Sequence, residues 1–316
     1  MRIPTADEIA AARTRIGGGA VRTPLIRWVD GPGQVWLKLE TLQPIGSFKI
    51  RGARNAMLAA PAGALAGGVY TASAGNMAQG VAWCARELGV PCAVVVPDHA
   101  PATKLTAIER LGASVVKVPF ERWWRVLMER RFDGMEGFFV HPVSDPAVIA
   151  GNASIGAEIA EDLPDVDLVY APYGGGGLSC GIAAALRGAA PRAQVVAVEP
   201  ETAAPLAASL AAGRPTPVDY RATFIDGAGG RSVLDEMWPL ARNLLAGAVT
   251  VSVEETAGAV RALAERTRVI AEGAGALALA AARARAAEGR KTVCVVSGGN
   301  IDAARLVAIL EGKVPS

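Results

Sequence analysis

The chain has 316 residues, of which 51% are hydrophobic and 20% are charged, and its formal net charge is +2. This is the composition of a folded globular protein, and no segment reaches the roughly 18 consecutive apolar residues of a membrane helix. Bases and acids are interspersed, and the N-terminus lacks the apolar stretch of a secretory signal. We therefore expect a cytoplasmic protein without a nucleic-acid or membrane partner. Only two histidines and four scattered cysteines occur, which disfavours disulfides, zinc sites and Ser-His-Asp catalysis.

Short apolar runs alternate with helical stretches along the chain. Capping boxes at Thr5 and Ser252 predict two helix starts. Further helices are predicted over 76–88, 101–111 and 177–187, and strands over 35–40, 68–73, 92–97, 114–119, 137–142, 166–172, 194–200 and 292–299. This alternation predicts an α/β fold in which parallel, doubly buried strands are flanked by helices. We expect a large domain of residues 1–52 and 146–316, and a small domain of residues 53–145.

A lysine stands in an unusual place in the segment QPIGSFKIRG, residues 43–52. Lys49 follows a Gly-Ser corner and lies between Phe48 and Ile50. Lysine is normally placed where water reaches its ammonium, and taken alone Lys49 is best read as a solvated surface residue. Four other glycine-bearing corners change that reading: 73–76, 173–181, 226–230 and 297–300. Most of them follow predicted strands, where open parallel sheets bind ligands.

Four consecutive glycines, Gly174, Gly175, Gly176 and Gly177, form the most informative corner. Successive backbone N–H groups there can converge on one anion, and a helix starting near Leu178 adds its positive end. A plain flexible turn is the alternative. The run lacks the G-x-G-x-x-G spacing of dinucleotide sites and a following Walker lysine, which disfavours NAD and ATP. A lysine near a phosphate site suggests a cofactor that carries both an aldehyde and a phosphate, namely pyridoxal 5'-phosphate.

At this point the sequence resembles a known family. The ordered segments GSFKIRGA, SAGN followed by AQG, PYGGGGL and SGGNID resemble those of the serine/threonine dehydratases, which are fold-type II, tryptophan-synthase-β-like pyridoxal-phosphate enzymes. The segments at 21–25, 145–152 and 196–201 extend the resemblance over nearly the whole chain. It implies a two-lobed enzyme in which each lobe is a mostly parallel sheet flanked by helices.

The resemblance also implies the roles of individual residues. Lys49 would hold the cofactor as a Schiff base and move protons at the substrate Cα. The other cofactor contacts would come from Phe48 against the ring, Asn76 at its phenolic oxygen, Gly174 to Gly177 and Leu178 at the phosphate, Gly227 in the pocket wall, and Ser297 at the pyridine nitrogen. The substrate carboxylate would be bound by Ser73, Ala74, Gly75, Asn76 and Met77.

Ser297 bears on the reaction type. A hydroxyl opposite the pyridine nitrogen stabilises a positive charge there less than a carboxylate would, and this favours loss of a β-leaving group over transamination. The sequence therefore predicts an ammonia-lyase that converts a β-hydroxy-α-amino acid, such as L-threonine or L-serine, to a 2-oxo acid and ammonia. By analogy with relatives, we expect a homodimer.

Two positions in the substrate loop depart from the family pattern. Met77 stands where dehydratases usually have histidine, which leaves open a substrate bulkier than threonine. Ala74 occupies the position where serine racemases place a serine, which disfavours racemisation. The segments SFKIRG and SAGNMAQG also differ from the SVKDR and TSGNTG of β-replacement enzymes. A phosphate-sensing or structural α/β protein is the alternative from outside enzymology.

Two further expectations concern regulation and metal. Metal-binding relatives use an acid, a carbonyl and a second acid at positions that read Glu199, Ala203 and Pro205 here. Proline offers no side-chain oxygen, so we expect this divalent-metal site to be absent or weakened. The chain continues only to Ser316 after SGGNID, and we expect no feedback control by isoleucine.

Overall fold

The larger of two sheets has six strands. The computed structural model describes residues 1–31, 33–285 and 289–315. The six strands are β1 (Leu25–Trp28), β2 (Gln34–Leu39), β7 (Leu168–Pro172), β8 (Gln194–Pro200), β9 (Gly247–Val251) and β10 (Lys291–Val296). They lie in the order β1-β2-β10-β7-β8-β9, and only the β1–β2 pair is antiparallel. The carboxyl ends of the parallel strands therefore meet at one edge.

The smaller sheet has four parallel strands: β3 (Val69–Ala72), β4 (Cys92–Pro97), β5 (Ser114–Val118) and β6 (Phe138–Phe139). Their order is β5-β4-β3-β6. All four strands lie within residues 53–145. The domain boundaries at residues 52 and 145 stay a prediction.

Helices cover both sheets. Their bounds are α1 (Ala6–Ile16), α2 (Lys49–Leu58), α3 (Asn76–Leu88), α4 (Ala102–Glu109), α5 (Phe120–Glu129), α6 (Pro146–Asp162), α7 (Ser179–Ala189), α8 (Pro205–Ala212), α9 (Trp238–Leu244), α10 (Val253–Thr267), α11 (Gly273–Ala284) and α12 (Ala303–Leu310). Within the described ranges, none of these helices is long and apolar enough to span a bilayer.

The structure confirms the α/β class and both capping boxes. The Thr5 hydroxyl accepts from the backbone N–H of Glu8 at the start of α1, and Ser252 accepts from Glu255 at the start of α10. Each of the eight apolar runs contains a strand. Sequence reasoning missed β1 and β9, the two edge strands of the larger sheet, because most of their residues are only half-buried and neither has a long continuous apolar run.

Helix α6 was also missed, although its start carries clear signals. The segment after Asp145 was interpreted only as a return between lobes, yet it is a helix of 17 residues. The Asp145 carboxylate accepts from the N–H groups of Ala147 and Val148, and Pro146 occupies the first helical position. The helix lies close to α2, since a Cβ on Gly151 would be 2.4 Å from the backbone oxygen of Arg51.

A buried cluster of charges fixes α2 between β2 and α6. The Arg51 guanidinium is 1% exposed and donates to Glu40 at 2.8 Å and to Glu158 at 2.6 Å. Lys38, which is fully buried, donates to Glu158 at 2.6 Å, and Thr23 donates to Glu40. Two carboxylates and two cations thus satisfy one another without water. Because Arg51 follows Lys49 by two residues, the cluster anchors the helix whose first residue is Lys49.

Removal of the Arg51 charge tests this anchor. We expect Arg51→Met to lower the free energy of unfolding by about 3–5 kcal/mol, because Glu40 loses its cation in a dry interior. The matched control is Arg13→Ala, which breaks an exposed pair with Glu161 and should cost about 1 kcal/mol or less. Urea unfolding of the cofactor-free variants measures both changes. Equal losses in the two variants would contradict the anchoring role.

Candidate active site

Lys49 lies where the two sheets face each other. It is the first residue of α2, and the backbone N–H of Phe48 donates to the Ser297 carbonyl at 3.0 Å. The Lys49 Nζ donates to the Pro142 carbonyl at 3.1 Å and lies 5.2 Å from the centroid of the Phe48 ring. Burial lowers the pKa of the Lys49 ammonium to about 8, although the Glu272 carboxylate opposes this shift. A lysine with such a pKa is partly a neutral nucleophile near neutral pH.

The glycine run after β7 presents a set of free backbone donors. Within the described residues, the N–H groups of residues 174–179 donate to no protein acceptor. Gly176 has φ of +92°, which favours glycine, and α7 begins at Ser179. The run has no room for side chains: a Cβ on Gly175 would lie 2.4 Å from a Val143 methyl carbon. The arrangement is suited to binding an anion such as phosphate.

Further polar atoms beside the glycine run are buried without a partner. Within the part of the chain that is described, the Tyr173 hydroxyl and the Asn152 Oδ1 have no hydrogen-bond partner, while the Asn152 Nδ2 donates to the Gly177 carbonyl at 3.2 Å. Buried polar groups are normally paired. A polar ligand or ordered water beside the glycines would provide the missing partners of these two oxygen atoms.

A second set of free donors lies at the N-terminus of α3. The helix begins at Asn76, directly after the turn of Ser73, Ala74 and Gly75 that follows β3. Among the residues described, no acceptor is found for the N–H groups of Asn76, Met77 and Ala78. These donors and the positive end of a helix of 13 residues suit a carboxylate.

The Met77 side chain is buried beside the turn. It is 1% exposed and packs in the apolar cluster that includes Ile50, Ala53 and Val81. Its contribution to substrate binding stays a prediction, and its backbone N–H is among the free donors at the start of α3.

Asn76 joins the two lobes. Its Nδ2 donates to the Glu272 carboxylate at 2.7 Å, and its Oδ1 accepts from Asn300 at 2.7 Å. Burial raises the pKa of Glu272 to about 7, with a further rise from the charge of Asp226; the Asn76 hydrogen bond, Lys104 and Lys49 oppose this rise. Sequence reasoning expected Asn76 at the site but gave no role to Asn300.

The remaining predicted residues surround the same space. Ser297 is 4% exposed at the end of β10, beside the turn that holds Phe48. Gly227 lies near the glycine run, since a Cβ on Gly174 would be 3.4 Å from the Gly227 carbonyl oxygen. Leu178 is buried at the start of α7. Lys49, the glycine run, Asn76, Gly227 and Ser297 are therefore linked by direct contacts or short turns.

A cleft of about 410 Å³ lies next to Glu272 and Asn300, the two residues that contact Asn76. Lys104 from α4 donates to Asp226 at 2.7 Å across it, and Arg305 from α12 lies 3.6 Å from the same carboxylate. Gln79, Glu272 and Asn300 also line the cleft. Its walls carry charged and amide groups of the kind that bind small polar molecules.

The segment after β6 was not predicted to be part of the site. The neutral Nδ1 of His141 accepts from the N–H groups of Val143 and Ser144 at 3.1 and 2.8 Å, and burial lowers the pKa of His141 to about 4. The resulting turn directs the Pro142 carbonyl to Lys49 and the Val143 side chain to the glycine run. Nothing in the local sequence indicates these contacts, which join distant parts of the chain.

Glu199 serves as a helix cap. Its two carboxylate oxygens accept from the N–H groups of Leu206 and Ala207 at 2.9 and 2.8 Å, at the start of α8. Burial raises the pKa of Glu199 to about 7. Among the described residues no group of three or more metal-ligating side chains is found.

Comparison with known proteins places this geometry in a wider context. The family model described as pyridoxal-phosphate dependent enzyme matches residues 16–298. The chain is 40% identical to an L-threonine ammonia-lyase of Thermotoga maritima over 274 residues, which cover 85% of this chain and 68% of that protein. It is 38% identical to a catabolic L-threonine dehydratase of Escherichia coli over 312 residues, covering 96% of this chain and 95% of that protein.

A solved structure agrees over almost the full length. The structure of maize serine racemase matches with a TM-score of 0.90 and 29% identity, and the match covers 98% of each chain. The two-sheet architecture described above is therefore shared with an enzyme of known structure.

A methyl group in the glycine run tests the phosphate site. Gly175→Ala brings a Cβ against Val143, and we expect the strain to displace the N–H donors. Overpacking of this kind costs about 1–3 kcal/mol, so the dissociation constant of pyridoxal phosphate should rise roughly 5- to 100-fold. Absorbance titration of the cofactor-free protein measures it.

Two further variants control this measurement. The first is Gly188→Ala in α7, the helix that follows the glycine run. A Cβ at this position has no atom within 4 Å, so the dissociation constant of pyridoxal phosphate should be unchanged. The double variant Gly175→Ala/Val143→Ala removes the clashing methyl groups and should recover most of the affinity. If Gly175→Ala binds the cofactor as the unaltered chain does, the glycine run is not the phosphate site.

Proposed function

We propose that this chain is an ammonia-lyase of β-hydroxy-α-amino acids. The premise is that it belongs to the pyridoxal-phosphate dependent enzyme family and, within it, to the serine/threonine dehydratases. L-Threonine and L-serine are the substrates we expect, and the products are a 2-oxo acid and ammonia. One observation carries the proposal: a lysine with a lowered pKa lies between two sets of free backbone donors, one suited to a phosphate and one to a carboxylate.

The residues fit the cofactor. Unpaired N–H groups over 174–179 would hold the phosphate, and Lys49 would form the covalent link to the aldehyde. Ser297 would face the pyridine nitrogen and Phe48 the ring. When bound, pyridoxal phosphate supplies an electron sink that stabilises negative charge at the substrate Cα.

The N–H groups at the start of α3 and the Lys49 amine would perform the steps of the reaction that the protein supplies. The N–H groups of residues 76–78 would bind the substrate carboxylate and so orient the Cα–H bond. With cofactor and substrate bound, Lys49 would be the base that takes the proton from the substrate Cα. The ammonium so formed would return a proton to the β-hydroxyl, which would leave as water, and the enamine product would tautomerise and be hydrolysed in water to a 2-oxo acid and ammonia.

The competing reactions of this fold have weaker support. Racemisation needs an acid on the opposite face of Cα, and Ala74 at the turn before α3 offers no proton. The cleft walls, which carry Lys104, Asp226 and Glu272, favour a small polar side chain over an aromatic one. We further propose that the protein is a cytoplasmic homodimer.

Turnover by a Lys49 variant tests the assignment. In a 2-oxo acid assay with threonine, serine, phenylserine and hydroxyaspartate, we expect threonine and serine to be converted fastest. Lys49→Ala should lower kcat/KM by at least about 10³-fold with every substrate, because the base is lost. Lys313→Ala removes an exposed lysine and should leave turnover unchanged.

A covalent label separates the cofactor assignment from the reaction assignment. The protein should show a band near ~410 nm, and borohydride should fix the label on Lys49. Substantial turnover by Lys49→Ala would refute the mechanism. A labelled protein that converts no member of the panel would refute the reaction but not the cofactor.

The pH dependence of cofactor capture tests the state of Lys49. Only the neutral amine attacks an aldehyde, and the pKa of Lys49 is about 8. The rate of capture should therefore rise about tenfold per pH unit below that value and level off above it. Stopped-flow absorbance of the cofactor-free protein measures the rate, and a free alkylamine, with a pKa near 10.4, is the control. A protein profile that follows the alkylamine would show an unperturbed lysine.

A further inference from the structure

The Asn76 carboxamide is held on both sides by residues of the other lobe. Asn300 donates through Nδ2 to the Asn76 Oδ1 at 2.7 Å and to the Ile45 carbonyl at 2.9 Å. Glu272 accepts from the Asn76 Nδ2 at 2.7 Å, and its own backbone N–H donates to the Gly298 carbonyl at 3.0 Å. We call Asn76, Glu272 and Asn300 the amide clamp.

The hydrogen-bond donors and acceptors of the clamp permit only one orientation of the Asn76 carboxamide. Glu272 accepts from the Asn76 Nδ2 through its Oε1, so it holds the nitrogen of the Asn76 amide on its side. Asn300 uses its Nδ2 on both Ile45 and Asn76, so it requires the Asn76 oxygen on its side. Both partners therefore select the same amide orientation, and turning the amide by 180° would break both bonds.

Two glycines, Gly298 and Gly46, lie so close to the clamp residues that a side chain at either position would collide with them. A Cβ on Gly298 would lie 2.3 Å from the Glu272 Oε1 and 3.3 Å from the Asn76 Nδ2. A Cβ on Gly46 would lie 2.9 Å from the Asn300 Oδ1, and Gly46 has φ of +68°. Glycines at these positions thus permit the close approach of the clamp residues as well as the turns themselves.

One hydrogen of the Asn76 amide remains after these bonds are made. An Asn side chain offers two N–H donors and one oxygen; Glu272 takes one donor and Asn300 takes the oxygen. The second Nδ2 hydrogen is the one strong donor that the Asn76 side chain can still offer. A ligand group beside it must therefore be an acceptor.

We propose that Glu272 and Asn300 are positioning residues that fix Asn76 as a hydrogen-bond donor to the ring oxygen of the cofactor. The proposal rests on the proposed function only in that the chain must bind pyridoxal phosphate. A donor at that oxygen favours its deprotonated, charged form. Loss of the clamp would let the amide turn and present its own oxygen, which repels that form.

Cofactor affinity in a double-variant cycle tests the proposal. We expect Asn300→Ala to raise the dissociation constant of pyridoxal phosphate about tenfold, since one well-placed hydrogen bond depends on it. In the Asn76→Ala background, the same change should alter the constant by less than about twofold, because Asn300 acts through Asn76. An equal loss in both backgrounds would overturn the proposal.

Near-isosteric variants separate orientation from packing. Asn300→Asp keeps the size of the side chain but turns the donor into an acceptor, and we expect it to weaken binding at least as much as Asn300→Ala. Asn243→Asp introduces the same change on an exposed side chain of α9 and should have no effect. If Asn300→Asp binds the cofactor normally, Asn300 only fills space and the proposal fails.

The absorbance of the bound cofactor gives a second readout. Asn300→Asp and Glu272→Ala should both lose intensity at ~410 nm in favour of the band at ~330 nm of the form with a protonated ring oxygen. Unfolding midpoints of the cofactor-free variants complete the test. If affinity falls only in proportion to a lowered midpoint, with an unchanged spectrum, the two residues are structural and the proposal is wrong.

These measurements are independent of the amino acid that is turned over. If the unaltered protein binds pyridoxal phosphate but converts no substrate of the panel, the proposed function fails while the clamp can still be confirmed. If the protein functions as an ammonia-lyase and the cycle shows no coupling between Asn76 and Asn300, the clamp alone fails.

Discussion

The salt-bridge cluster of Arg51, Glu40, Glu158 and Lys38 is the constraint on which the site depends. A charged cluster without water tolerates little displacement, because each lost contact leaves an unpaired charge in a medium of low polarity. Its hydrogen bonds hold α2 against β2 and α6. Lys49 begins that helix, so the position of its amine is set by ions two residues away. Lys49 can be buried and have a lowered pKa because Arg51, and not Lys49, forms the salt bridges that anchor the helix.

Close backbone approach is the second constraint, and glycine provides it. Gly151 brings α6 onto α2, Gly175 lies against Val143, and Gly298 lies against Glu272. At each position a single Cβ would come within 2.4 Å of another group. Three segments that are distant in the sequence can thus meet around Lys49. The abundance of glycine at strand ends reflects this shared need for contact as well as the need for anion-binding donors.

The sequence was sufficient where the signal is local. Apolar runs located the buried strands, and capping boxes located α1 and α10. The lysine and the glycine corners indicated the candidate site. It was insufficient where the outcome depends on contacts between distant segments. Met77 follows a site residue in sequence, but helical geometry turns its side chain into the core. Asn300 and Val143 have ordinary local sequences, and only the meeting of two lobes gives them a role.

The two lobes provide different groups for binding the cofactor and the substrate. Lys49, the glycine run and Ser297 lie at the carboxyl ends of strands of the six-stranded sheet or are hydrogen-bonded to them, so a cofactor held by them stays with that sheet. The free N–H groups at the start of α3 belong to the four-stranded sheet. A substrate linked to the cofactor and held by its carboxylate must therefore bridge the two sheets. Asn76 is the residue at which these two binding surfaces meet, since it begins α3 and contacts Glu272 and Asn300 of the opposite lobe. If the proposed roles hold, its amide orientation would couple how the substrate is held to how the cofactor is polarised.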